Sequence, residues 1–185
     1  MKHIGVMDVA SVLSLFAWTV VLINALTLTL IAVLVTPRSR KISSVRRVRS
    51  MAGSFSVVLA IAATLASLYL SEVGDLVPCR WCWIQRVAMY PLALVLLIAW
   101  LTRDHLVRRY AIPISLLGLA ASTWHYLLQQ VPSLSESESC SFTTPCSVTY
   151  IEKFGFVSIP WMAGSVFLLI LLLLTGFRSN EGRIG

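Results

Sequence analysis

Five runs of mostly apolar residues, near 9–35, 52–71, 83–101, 110–130 and 156–177, alternate with shorter polar stretches and together use most of the chain. Crossing a hydrocarbon core of about 30 Å takes roughly 20 residues of helix. Each run therefore reads as one transmembrane helix, and the fold expected is an all-α integral membrane protein with five spans. The first run is too long for the apolar core of a signal peptide, and no small-residue cleavage site follows it. Pro37 and a basic cluster come next, so a retained helix is expected. Asn24, Thr27 and Thr29 inside this run can bond to neighbouring helices or to their own backbone. Pro91 and Pro113 are expected near helix starts, where proline is tolerated. No internal repeat, low-complexity tract or long linker interrupts the pattern.

Composition agrees. The 185 residues are 57% hydrophobic and only 12% charged, with a mean hydropathy of +0.82, far from an ordinary soluble domain. The net charge of +7 could suggest a nucleic-acid partner, but the basic residues are distributed as topology markers. Arg38, Arg40, Lys41, Arg46, Arg47 and Arg49 separate the first two runs, Arg103, Arg108 and Arg109 separate the third and fourth, and Arg178 and Arg183 follow the fifth. Those segments are expected in the cytoplasm. The remaining connections carry Asp8, Glu72, Asp75, Glu136, Glu138 and Glu152 against Lys2, Arg80 and Lys153, which puts the N-terminus outside and the C-terminus inside. A cell membrane is the expected location, and the 38–49 cluster can also touch anionic lipid.

All four cysteines, Cys79, Cys82, Cys140 and Cys146, fall in the segments that this topology places outside. There the cytosolic reductants do not hold thiols reduced, so an even number of cysteines is expected to form disulfides. Two structural staples are one reading, and a four-cysteine zinc site is another. The spacing Cys79-Arg80-Trp81-Cys82 instead favours a dithiol that cycles, since its two sulfurs stay adjacent when reduced. The five residues between Cys140 and Cys146 are loose for a zinc knuckle. The polar stretch before that pair, Pro132 to Ser139, is expected to be exposed and mobile enough to meet a soluble partner.

Arg86 strengthens the redox reading. A guanidinium about one turn inside the outer end of a span is costly unless paired or snorkelling, and such charges are commonly functional. Cys82 and Arg86 are four residues apart and share a helix face, where the cation and the helix N-terminus would favour a thiolate. His125, between Trp124 and Tyr126, is expected at similar depth. It is either an interhelical hydrogen-bonding group or a donor to a quinone carbonyl. Trp81, Trp83 and Trp124 could wall a flat ring, although tryptophans at this depth also form ordinary interfacial belts.

The stretch Pro78-Cys79-Arg80-Trp81-Cys82-Trp83-Ile84-Gln85-Arg86 resembles the C-x-x-C-W-x-Q-R signature of the disulfide bond formation protein B (DsbB) family. Trp124-His125-Tyr126 with Gln129, the pair Cys140 and Cys146, and Phe154-Gly155-Phe156-Val157-Ser158-Ile159-Pro160 follow in that family's order, so the resemblance spans about 52–177. It implies a four-helix thiol oxidase core over 51–178, preceded by an additional helix and basic loop over 1–50 and followed by a tail over 179–185. It further implies that Cys140 and Cys146 form the disulfide that oxidises a secreted thioredoxin-fold oxidase, while Cys79 and Cys82 form the disulfide beside a quinone, ubiquinone or menaquinone. Arg86, His125, Trp83 and Gln85 are the implied quinone-site residues, no metal is implied, and a monomer is expected. In the mechanism this suggests, a partner thiolate opens Cys140–Cys146, Cys146 attacks Cys79, and the Cys82 thiolate is released toward the quinone. The vitamin K epoxide reductase family is a weaker likeness, because there the C-x-x-C follows the loop pair. A non-enzymatic scaffold braced by exterior disulfides is the reading from a different class, and Arg86 speaks against it.

Overall fold

The structure is a computed structural model, and it describes residues 9–35, 43–131, 133–134 and 155–176. Five long helices carry it: α1 (Val9–Val35), α2 (Ser43–Glu72), α3 (Arg80–Thr102), α4 (Arg108–Gln130) and α5 (Ile159–Gly176), with a short 3-10 turn at His105–Val107. Each contains a segment long and apolar enough to cross a membrane. The five expected spans are therefore present, with ends displaced by a few residues. The largest displacement is at α2, whose helix begins at Ser43, well before its apolar span Met51–Glu72. Arginine is a good helix former, and hydropathy alone does not show where the helix starts.

Four helices close a ring in which α2 packs on α3, α3 on α4, α4 on α5 and α5 back on α2, while α1 lies outside this ring against α5. Leu92 and Leu96 of α3, Ala60 of α2, Ala111 of α4 and Phe167 and Ile170 of α5 fill the centre. Gly118 on α4 allows the closest approach, because a Cβ there would land in the ring of Phe167. Ser56, Ser115 and Ser122 are buried in the same bundle, and each returns its hydroxyl to the carbonyl four residues earlier, to Ala52, Ala111 and Gly118. These three hydroxyls are thus satisfied without water. The outward faces carry Trp18, Leu22, Val87 and Leu117 in the open, as a lipid-facing surface requires.

Pro91 lies midway along α3 rather than near its start. Helices in lipid keep their hydrogen-bonded form through such a residue because neighbouring helices and local adjustments absorb the lost bond. At the other end of α3, Arg103 takes a left-handed conformation, φ 55°, and the Asp104 carboxylate accepts from the Leu106 N–H at 2.7 Å. The chain turns there directly into α4.

Candidate active site

After α2 ends, the chain folds back on itself through a bond from the Leu76 N–H to the Leu70 carbonyl, 3.1 Å, with Asp75 at a positive φ of 51°. This return delivers Pro78 and Cys79 to the mouth of the helix ring. Cys79 is the N-cap of α3, and its sulfur accepts from the Cys82 N–H at 3.4 Å. A cysteine does here what serine or aspartate does at most helix starts. The cap places the two cysteines of the C-x-x-C with their Sγ atoms 3.0 Å apart as thiols.

Cys79 is buried, and the imidazole of His125 reaches it from α4, Nε2 to Sγ 3.5 Å. The other ring nitrogen, Nδ1, meets the side-chain amide nitrogen of Gln85 at 3.0 Å. An amide nitrogen only donates, so Nδ1 accepts and the ring proton sits on Nε2, directed at Cys79. Gln85 and His125 are both buried, and each meets the other's need for a partner. The hydrogen bond from Cys82 holds the Cys79 thiol well below its ordinary range, burial opposes this, and His125 adds to the lowering. Cys79, Cys82 and His125 also bring three soft donor atoms within 4.8 Å of one another, a set that could bind zinc.

On the other side of Cys82 is a cavity of about 400 Å³. Cys82, Gln85 and Arg86 form a polar edge, Thr19 and Ser67 add hydroxyl-bearing side chains, and the rest is apolar, from α1, α2, α3, α5 and the turn at 76–78. Arg86 donates from Nη2 to the Ser67 carbonyl of α2 at 3.1 Å, and its guanidinium carbon lies 5.3 Å from the centre of the Trp83 ring. Neither partner carries a negative charge, so neither cancels that of Arg86. An apolar slot edged by a cation, an amide and a thiol fits the flat, carbonyl-bearing ring of a quinone.

Of the residues singled out from the sequence, Cys79, Cys82, Gln85, Arg86 and His125 come together. His125 and Trp83 do not line the cavity. His125 is occupied by Cys79 and Gln85, and Trp83 stands half-exposed beneath Arg86. Trp81 and Trp124 meet with their rings tilted by 56° and centroids 6.4 Å apart, and both lie off the cavity wall, Trp81 because it points from a different face of α3 than Cys82 and Arg86. Cys140 and Cys146 lie outside the described residues. Sequence reasoning missed the Ser67 carbonyl, a backbone group with no sequence mark, and the cavity-lining residues of α1.

Residues 49–176 match the family model described as disulfide bond formation protein DsbB. The chain belongs to the DsbB family. It is 44% identical over 128 residues to disulfide bond formation protein C of Bacillus subtilis, covering 68% of this chain and 93% of that protein. A probable disulfide formation protein of Oceanobacillus iheyensis is 43% identical over 130 residues, 68% of this chain and 88% of the relative. The probable disulfide formation protein C of Halalkalibacterium halodurans is 42% identical over 122 residues, 66% and 88% of the two chains. No solved structure matches the chain significantly. As a DsbB family member, the protein is a multi-pass membrane oxidoreductase that acts in disulfide bond formation.

Proposed function

We propose that this thiol oxidase reoxidises an exported thioredoxin-fold dithiol oxidase and passes the electrons through two cysteine pairs to a membrane quinone. The supporting observation is that Cys82 touches Cys79 on one side and the cavity edged by Arg86 on the other. One atom thus joins the thiol chemistry to the apolar slot.

The order of exchange follows from thiolate attack on disulfide sulfur. A thiolate of the partner attacks Cys140–Cys146, forming a mixed disulfide with Cys140 and releasing Cys146. The Cys146 thiolate attacks Cys79 of the Cys79–Cys82 disulfide, and Cys82 leaves as a thiolate at the cavity edge. Resolution of both mixed disulfides restores Cys140–Cys146, frees Cys79 and leaves the partner oxidised, with two electrons now on the Cys79/Cys82 dithiol. His125 Nε2–H donates to the Cys79 sulfur as it departs, and Gln85 keeps the imidazole in the tautomer that can do so. Arg86 and Gln85 would hold the quinone by its carbonyl oxygens, and the apolar walls would exclude water. Quinone, when bound, supplies the two-electron oxidation that a protein alone cannot. The family uses quinones, and the choice of ubiquinone or menaquinone is not written in these side chains.

The N-terminus and the cysteines are assigned to the outer face and the C-terminus to the cytoplasm, on the distribution of basic residues. The test is catalysis by the full chain in detergent, with a quinone and a reduced thioredoxin-fold protein. Multiple turnovers that require all four cysteines are expected. Turnover that persists without quinone under anaerobic conditions would overturn the electron route.

A further inference from the structure

The cavity beside Cys82 owes one of its walls to a helix outside the family core. The family model begins at residue 49, after α1. In the Bacillus subtilis relative the match already uses 93% of the protein, and the small remainder is too short for another span, which needs roughly 20 residues. In this chain Leu15, Phe16, Thr19, Val20 and Ile23 of α1 line the cavity together with Cys82, Gln85 and Arg86.

The sequence spacing explains how. Phe16, Val20 and Ile23 recur at four and three residues, so they share one face of α1. That face is anchored on α5 and the residues just before it: Phe16 and Val20 pack with Val157 and Met162, and Ile23 packs with Leu169 and Leu173 and with Ala52 of α2. Among the described residues the substantial packing of α1 is on α5. At the level of Phe16 and Val20 it therefore stands off from α2 and α3, and the gap between them is the cavity. Thr19 adds no polar group to the wall, because its hydroxyl donates to the Leu15 carbonyl at 2.8 Å. An apolar helix here encloses what lipid tails would otherwise border.

Resting on the quinone reading above, we infer that α1 is a wall of the quinone site, whose side chains, Phe16 foremost, touch the bound quinone and contribute to its affinity. In a protein lacking this helix the same slot would open to lipid. The additional helix is a binding element as well as a membrane anchor.

Photolabelling tests this without relying on turnover. The full chain in lipid nanodiscs is irradiated with a ubiquinone analogue carrying an azide on its ring, with and without excess unlabelled quinone, and labelled peptides are mapped. In parallel, quinone affinity is read from quenching of tryptophan fluorescence for the wild type, Phe16→Ala and a control, Leu22→Ala, on the lipid-facing side of α1. Competable label in both α1 and α3 is expected, with affinity about 10-fold weaker in Phe16→Ala, as for a lost apolar contact in a pocket, and unchanged in Leu22→Ala. Label in α3 but none in α1 would overturn the wall assignment and leave the quinone site standing. The absence of competable label anywhere would overturn the quinone reading itself. Because the labelling uses the unmodified chain, misfolding of Phe16→Ala cannot mask the result.

Discussion

The Nε2 of His125 lies 3.5 Å from the sulfur of Cys79, although 46 residues separate them in the chain. The contact brings an N–H donor to the cysteine proposed to alternate between disulfide and thiolate. A His125→Ala variant is expected to slow exchange at Cys79 by roughly 10-fold or more, since a hydrogen bond to a charged group is worth about 1.5–3 kcal/mol. The check is the single-turnover rate of partner oxidation. Gln85→Leu, which frees the tautomer, should lower the same rate by a smaller factor.

That contact also has a pH signature. With its folded pKa lowered by Cys82 and then by His125, Cys79 stays a thiolate as the pH drops below the ordinary thiol value of about 8.5. The reduced form keeps this stabilisation until the pH falls through the depressed pKa. Titration of the thiolate ultraviolet absorbance in a reduced Cys140→Ser/Cys146→Ser variant should show a midpoint well on the acidic side, and His125→Ala should move it upward. An ordinary midpoint in both proteins would remove His125 from the thiol chemistry.

The two pairs are assigned different work. Replacing Cys146 with alanine removes the thiol proposed to attack Cys79, so the partner should remain covalently attached at Cys140. Non-reducing electrophoresis and mass spectrometry of the adduct report the site. Attachment at Cys79 instead would reverse the order of exchange.

Topology is tested by placing single cysteines at Ser43 and Ser135 in a variant lacking the other four. An impermeant thiol reagent applied to intact cells should label position 135 and spare position 43. Equal labelling would contradict the orientation read from the basic residues.

How much of this was legible beforehand depends on the range of the interaction concerned. The five spans followed from local apolar runs, and Cys79, Cys82 and Arg86 followed from spacing along a single helix. The pairing of His125 with Cys79 did not, because it depends on how α3 and α4 are rotated against each other, which pattern alone leaves open. For the same reason the sequence left His125 open between an interhelical hydrogen-bonding group and a quinone donor, and in the structure its two nitrogens meet Cys79 and Gln85. Pro91 misled in another way, since it read as a mark of a helix start in a helix that continues past it. The part of α1 in the cavity was invisible, because a nearly uniform apolar run shows little sign of which face meets protein and which meets lipid.

Close packing between α4 and α5 gives a stability prediction independent of chemistry. Gly118→Leu would force a side chain into the space of Phe167, which is fully buried. Overpacking of this kind costs about 1–3 kcal/mol, and a lower thermal midpoint of the detergent-solubilised protein is expected. An unchanged midpoint would mean that the two helices can separate without penalty.

Arg86 offers the sharpest separation of the two halves of the reaction. Its guanidinium edges the cavity while bonding to the Ser67 carbonyl and resting over Trp83. Its contacts are with Ser67 and Trp83 rather than Cys79, so its loss should affect the quinone step and leave thiol exchange nearly intact. Arg86→Lys keeps a charge but loses the planar fork that can hold a helix carbonyl and a ligand at once, and partial activity is expected. Arg86→Met keeps the helix and an apolar side chain but loses the charge. A charge-assisted hydrogen bond of about 1.5–3 kcal/mol corresponds to roughly 10- to 150-fold in quinone affinity or rate. Turnover against quinone concentration for the three proteins measures this, with single-turnover oxidation of the partner as the control. A normal quinone dependence in Arg86→Met would reduce Arg86 to a fastener between α3 and α2, and the polar edge of the cavity would then have to act through Gln85 alone.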